Sequence, residues 1–376
     1  MEITTRYYCI DWIRVLAFAL LIIFHSAMPF VTVDWEVKNN EQSEPLTSLI
    51  WWLHQWRLPV LFFISGTGIH FSLRSRSIPG FLKERTTRLL IPLLFAMFFT
   101  IPLQVWVEYS QKGRISMDYF DFYPTVWSFI PYPDGTLTWS HMWFVVYLFC
   151  YILLLTPIFA VFKLNWLTRA KERISAFLSY PATTISLVLP LMVIYYFLYL
   201  PYPIQGSLLD DWFLFTFSIT FLLYGFFLGG SETFWANCAR YRNHYLVTAV
   251  VAVFILFFNF WWPLNVPKEN GQHFRIYLIL NCIEIWATLL AICGYAKKYL
   301  NRESNALKYL NKAVYPYYII HQTIIVFLGY YIVRWDMHFS LKFLILTALS
   351  LLLILSIYHF IIRRTRLTRF LFGMKG

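Results

Sequence analysis

An all-α, polytopic membrane protein with about ten transmembrane helices and both termini in the cytoplasm is what this sequence predicts. Three observations carry that expectation. The 376 residues are 59% hydrophobic and only 13% charged, with a mean hydropathy of +0.57, whereas ordinary domains are about a quarter charged. About ten apolar runs reach the roughly 20 helical residues needed to cross a hydrocarbon core of about 30 Å. Finally, the basic residues gather in every second connection, as cytoplasmic loops do.

The elements follow in order, with soft boundaries. Run 10–33 leads from the cytoplasm into an acidic loop whose only base is Lys38. Run 48–72 returns to a loop holding Arg74, Arg76, Lys83, Arg85 and Arg88, which also opens run 86–107. The outer connection 108–140 holds Lys112 and Arg114. Run 141–162 then leads to inner Lys163, Arg169, Lys171 and Arg173. Runs 182–200 and 212–230 enclose an outer loop without bases and end at inner Arg240 and Arg242. Runs 244–262 and 275–296 flank outer Lys268, with Arg275 at a helix edge, and lead to inner Lys297, Lys298, Arg302, Lys308 and Lys312. Runs 313–333 and 341–362 flank Arg334, and the tail carries Arg363, Arg364, Arg366, Arg369 and Lys375. This asymmetry explains the net charge of +12 without a nucleic-acid partner. No connection is long enough for a soluble domain, so residues 1–376 are expected to form one integral-membrane domain with no fused soluble part. Cys9, Cys150, Cys238, Cys282 and Cys293 lie in or beside apolar runs, without metal-like spacing, and are expected to pack.

Chemistry concentrates at polar residues where a membrane makes them expensive. Arg14 and His25 are separated by ten residues in the first run. On a helix that spacing leaves them within about 20° of each other and about 16 Å apart along the axis. Arg57, Glu284 and His321 fall at a depth similar to that of His25, which suggests a polar centre; interhelical glue is the plain alternative. Arg85 and Arg88 share a face at the cytoplasmic start of the third run. Topology alone would explain them, yet an arginine pair at a helix start also suits phosphates. An anionic head held by Arg14, Arg85 and Arg88, with a long thin arm reaching His25, describes coenzyme A and its thioester. His25 could accept the acyl group or act as general base for a hydroxyl, with Glu284 as a carboxylate partner. The aromatic outer segment 108–140 reads as an interfacial flap or as a lid over a sugar-like acceptor. His54, His70, His244, His273, His338 and His359 are expected to be solvated, and no metal site or dinucleotide fingerprint appears.

Several motifs carry a resemblance. They are Asp11-Trp12-Ile13-Arg14 with His25, Arg57-Leu58-Pro59-Val60-Leu61-Phe62-Phe63-Ile64-Ser65-Gly66, and Arg85-x-x-Arg88-Leu89-Leu90-Ile91-Pro92. To these are added His141-Met142-Trp143-Phe144 and Tyr315-Pro316-Tyr317-Tyr318-Ile319-Ile320-His321-Gln322. In their order and placement the chain resembles membrane acyltransferase family 3, most like its glucan biosynthesis protein C branch. The resemblance implies an O-acyltransferase that moves an acetyl or succinyl group from cytoplasmic acyl-CoA to an extracytoplasmic glycan or other hydroxyl acceptor. No metal or nucleic acid takes part in that reading. It implies catalytic His25, donor-binding Arg14, Arg85 and Arg88, and a close-packing or pathway role for Ser65-Gly66. His141 would meet the acceptor or anchor at the interface. Thr67 stands where the family commonly has an aromatic residue. The expected setting is a bacterial inner (cytoplasmic) membrane, with lipids as neighbours and a homo-oligomer allowed. A transporter or translocase of a lipid-linked or anionic substrate is the alternative, and a non-catalytic membrane partner a third.

Overall fold

The computed structural model describes residues 7–374 apart from 164, 203, 205 and 263, so Lys375 lies outside the described residues. The chain is all-helical in its regular structure. Its main elements are α1 (Tyr8–Ala27), α2 (Glu44–Ser75), α3 (Ile78–Gln111), α4 (Ser140–Val161), α5 (Asn165–Leu178) and α6 (Pro181–Leu198). They continue with α7 (Trp212–Leu228), α8 (Glu232–Trp261), α9 (Gln272–Leu300), α10 (Asn305–Ile332) and α11 (Phe339–Ile362).

Among the described residues, seven helices are long and apolar enough to cross a membrane: α1 with the turn that follows it, α3, α4, α6, α8, α9 and α11. The chain is a polytopic membrane protein. The other three expected runs are helical as well, but each misses one requirement. Helix α7 has only 17 residues. Helix α2 carries His54, Gln55, Arg57 and His70 along its length, and α10 carries Lys308, Lys312, His321 and Gln322. The residues that make α2 and α10 less apolar include Arg57 and His321, two of those singled out for a polar centre.

Prolines shape α3. Two π-helical stretches, Thr86–Leu90 and Ala96–Thr100, lie just before Pro92 and Pro102. A proline cannot donate to the carbonyl one turn back, and a widened turn accommodates the break.

The chain packs as two compact units, each drawn from three stretches. The first comprises residues up to Ala17, Trp51–Lys83 and Cys150–Lys308; the second comprises Phe18–Ile50, Glu84–Phe149 and Tyr309–Gly376.

In the first unit, glycines let α2 and α7 approach closely. A Cβ on Gly66 would meet the Leu222 carbonyl, and one on Gly225 would meet the Phe63 carbonyl. Backbone lies against backbone at both points, so no flexible side chain can yield. Thr67, beside Gly66, is fully buried and donates to the Phe63 and Gly225 carbonyls at 3.0 and 3.2 Å. Gly66→Ala should therefore cost about 1–3 kcal/mol of overpacking strain. A lowered unfolding midpoint in detergent is the expected result, and an unchanged midpoint would contradict this packing. His70 corrects an expectation. It is only 5% exposed, with Nδ1 2.9 Å from the Phe226 carbonyl, because α2 runs past the expected span end and keeps that turn inside. Cys9, Cys238, Cys282 and Cys293 are buried, as packing cysteines are.

In the second unit, Val37, Val107, Val326 and Val333 form an aliphatic patch with Trp35, Trp106, Phe327 and Tyr330 packed on it. The loop after α1 is firmly tied. Asn39 N and Ser43 N donate to the Pro29 and Phe30 carbonyls at 2.9 and 2.8 Å. The Lys38 ammonium donates to the Met28, Val31 and Val33 carbonyls, and buried Lys342 donates to Asn39 Oδ1 and the Val333 carbonyl, both at 2.9 Å. The aromatic segment 108–140 is anchored through Tyr109, which donates to the Pro133 and Gly135 carbonyls at 2.6 and 3.0 Å. Phe120, Trp127 and Phe129 on the same segment remain exposed, as rings at a membrane interface do.

Candidate active site

Three histidines from three helices meet in the second unit. His25 comes from the end of α1, His141 from the first turn of α4 and His321 from the middle of α10. His25 is half-buried, while His141 and His321 are 7% and 0% exposed. The His25 and His321 rings stack with centroids 5.0 Å apart, and His141 meets His321 edge-on at 5.2 Å.

The hydrogen bonds assign the tautomers. His321 Nδ1 lies 2.6 Å from the Tyr318 carbonyl. A carbonyl can only accept, so that nitrogen carries the proton, and in the neutral ring Nε2 carries the lone pair. His25 Nδ1 is 2.8 Å from that Nε2, so His25 donates from Nδ1 and holds its own lone pair on Nε2. His141 is fixed the other way. Its Nε2 donates to the Ile319 carbonyl at 3.2 Å, and its Nδ1 accepts from Gln104 Nε2 at 3.4 Å. Both His141 nitrogens are engaged inside the protein, which suits a positioning role.

A polar second layer surrounds the three rings. Gln104 donates to Thr323 Oγ1 at 2.6 Å and accepts from Ser140 Oγ at 3.0 Å, and Thr323 donates onward to the Thr100 carbonyl at 3.1 Å. Gln322, next to His321, donates to Glu36 Oε1 at 2.7 Å. The indole of Trp35 lies parallel to His25, with centroids 6.3 Å apart and planes 10° apart. Burial pushes the Glu36 carboxyl up to about 7; Glu108 adds to this, while the Gln322 bond and Lys112 pull it down. Desolvation likewise lowers Lys38, to about 8.

Other candidates lie in the first unit. Arg14 pairs with Asp11 one helical turn back, at 3.3 Å. Arg57 is 2% exposed. Ser65 returns its hydroxyl to the Leu61 carbonyl at 2.8 Å, within its own helix. Glu284 Oε1 accepts from Trp52 Nε1 and Thr288 Oγ1, each at 3.1 Å, while Nδ1 of His25 is taken up by His321. Asn281, one turn from Glu284, donates to Gln55 Oε1 and to the Tyr195 hydroxyl at 3.1 and 3.0 Å. Arg85 and Arg88 are both half-buried in the second unit. Arg88 pairs with Glu84 at 3.3 Å and donates to the Gly373 carbonyl at 3.0 Å.

A family model described as an acyltransferase domain matches residues 7–359, nearly the whole chain. This chain belongs to the acyltransferase 3 family. The chain is also 28% identical, over 171 residues, to proteins named glucans biosynthesis protein C from Salmonella heidelberg and Salmonella enteritidis PT4. That alignment takes in 44% of this chain and 41% of each relative, so it spans about two-fifths of their length. No solved structure matches.

Sequence reasoning listed His25, His141 and His321 and grouped His25 with His321 in one polar centre, but did not join His141 to them. It missed Gln104, Gln322 and Glu36 as contributors. Gln104 carried a readable signal, a lone amide inside an apolar run. Gln322 sat unassigned beside His321 in a quoted motif. Glu36 stood in a loop noted only for being acidic, and nothing local distinguished it from Asp34 or Glu41.

Proposed function

We propose that this membrane acyltransferase, acting as a single integral-membrane domain over residues 1–376, transfers an acetyl or succinyl group from acyl-CoA. The donor enters on the cytoplasmic side, and the acceptor is a hydroxyl of a glycan on the other face of a bacterial inner membrane. The observation that carries the reading is the fixed tautomer of His25, whose Nε2 holds a lone pair while His321 occupies Nδ1. An imidazole held in that way is a general base at neutral pH.

His25 Nε2 takes the proton of the acceptor hydroxyl as its oxygen attacks the thioester carbonyl. The new oxygen–acyl bond forms, and the carbon–sulfur bond then breaks. The proton held by His25 passes to the departing coenzyme A sulfur, which regenerates the neutral ring. His321 stays neutral and accepts throughout, steadying the imidazolium through the same hydrogen bond. His141 holds α10 in place through the Ile319 carbonyl.

Arg14 supplies the donor's phosphate end with a guanidinium eleven residues before His25 on α1, about 16 Å along a helix. Arg85 and Arg88 add charge on the cytoplasmic side in this reading. With the basic loops on the cytoplasmic side, these arginines lie where acyl-CoA is available. Arg57, Ser65 and Glu284 act as structural polar residues in this reading, not as reacting groups. The name of the relatives, glucans biosynthesis protein C, supports a glycan acceptor.

Arg14→Ala and the double change Arg85→Ala with Arg88→Ala should raise the KM for acyl-CoA by about tenfold or more, since each removes a charge-assisted phosphate contact. The acceptor KM should hold. Initial-rate kinetics at varied donor concentration check this, and an unchanged dependence on acyl-CoA would refute the phosphate role.

A further inference from the structure

Resting on the reading that His25 activates a hydroxyl, the geometry points to Trp35 and Glu36 as an acceptor subsite that holds a polyhydroxylated sugar ring beside that histidine. Three observations converge on it. The first is the parallel placement of the Trp35 indole on His25, which puts the loop residue 35 against the proposed reacting group. The second is the state of Glu36. Its Oε1 is held by Gln322 at 2.7 Å, while its Oε2 is shielded from solvent and has no hydrogen-bond partner. A buried carboxylate oxygen left without a donor is costly, and a ligand O–H satisfies it. The third is the company it keeps. Trp106 and Tyr330, like Trp35, are partly buried rings on one aliphatic patch, and such rings offer apolar faces to the C–H side of a pyranose while staying compatible with water at the edge.

The loop is built to hold these two residues still. Lys38 gathers three carbonyls of its own loop, and Asn39 is clamped by the Pro29 carbonyl on one side and by Lys342 on the other. A mere connection needs no such ties, whereas a subsite works only when its groups are fixed in advance. A vicinal pair of sugar hydroxyls suits this layout. One donates to Glu36 Oε2, and its neighbour presents its proton to His25 Nε2.

The charged groups that act on Glu36 are Glu108 and Lys112. Lys112 bridges Glu108 at 2.9 Å and Asp34 at 3.5 Å, and Tyr132 donates to Glu108 at 2.9 Å. Burial and Glu108 keep Glu36 protonated up to about pH 7. The carboxylate that accepts from the sugar is therefore filled above that pH and lost below it. Acceptor affinity should fall as pH drops through 7.

The test uses the purified full chain in lipid nanodiscs, acetyl-CoA and succinyl-CoA as donors, and a β-linked glucose tetrasaccharide as the probe acceptor. Glu36→Gln is expected to raise the acceptor KM by about tenfold or more at pH 8, the loss of a hydrogen bond to a charged group. The donor KM should stay within about twofold of the wild-type value. Trp35→Ala should move the acceptor KM in the same direction, and the rise of acceptor KM below pH 7 should flatten in Glu36→Gln. If Glu36→Gln fails to fold, Glu36→Asp, which withdraws the charge by one methylene, is expected to raise the acceptor KM as well. Acceptor KM values at the wild-type level in both the Glu36 and Trp35 variants, with the pH dependence retained, would overturn the subsite. A wild-type protein that acylates a simple alcohol but not the tetrasaccharide would overturn the sugar assignment. Neither result touches the acyl-transfer reading, which falls separately if His25→Ala turns over normally.

Discussion

His25→Ala is expected to lower kcat for transfer from labelled acyl-CoA by about 10² to 10⁴-fold, the usual contribution of a positioned general base. The fold should survive. His25 is half-buried near the end of α1, and an alanine there keeps the helix while removing a side chain that packs beside Trp35 and His321. Gel filtration and an unfolding curve check that the protein is intact, and transfer to a glycan acceptor is the readout. Because the proton is taken only as the hydroxyl attacks, the loss belongs to the transition state, so donor affinity should change little. Normal turnover in a folded His25→Ala protein would remove the basis of the proposed function.

His321→Phe should be nearly as damaging, for a different reason. The phenyl ring fills the volume of the imidazole but cannot accept from His25 Nδ1. The His25 ring then loses the hydrogen bond that fixes its tautomer, and half-misprotonated rings cannot act as base at Nε2. A fall in kcat of about 10² to 10⁴-fold is expected by analogy with the loss of tautomer control in hydrolytic triads. His321→Gln makes the sharper comparison. Its amide oxygen can accept from Nδ1, so part of the activity should return. A merely structural histidine would show no such rescue, and equal activity in the Phe and Gln variants would show that tautomer control is not its role.

Much of the architecture was legible because a membrane leaves few options for backbone and charge. Apolar runs had to be helices, and all ten expected runs are helical. The exceptions are instructive. Helices α2 and α10 look less like spans than their neighbours because they carry Arg57, His70, His321 and Gln322. The histidine centre was only half legible. The spacing of Arg14 and His25 on one helix can be read along the chain, but a 2.8 Å bond between His25 and His321 joins residues 296 positions apart, which no local pattern encodes. Glu284 looked like the natural partner for a catalytic ring, since carboxylates often orient histidines. Its Oε1 accepts from Thr288 and from Trp52, the latter a pairing that no local pattern encodes. His70 misled because its position near the end of an apolar run suggested water, whereas α2 continues as helix to Ser75.

The most direct test of the central claim, direct transfer with His25 as base, is to mix purified protein with radiolabelled acyl-CoA and no acceptor, then add a glucan acceptor. The account predicts no covalent label on the protein in the first step and labelled glycan in the second, with neither signal in His25→Ala. Acyl label trapped on wild-type protein by donor alone, lost in the His25 variant and chased onto the glycan, would contradict it and make His25 the nucleophile.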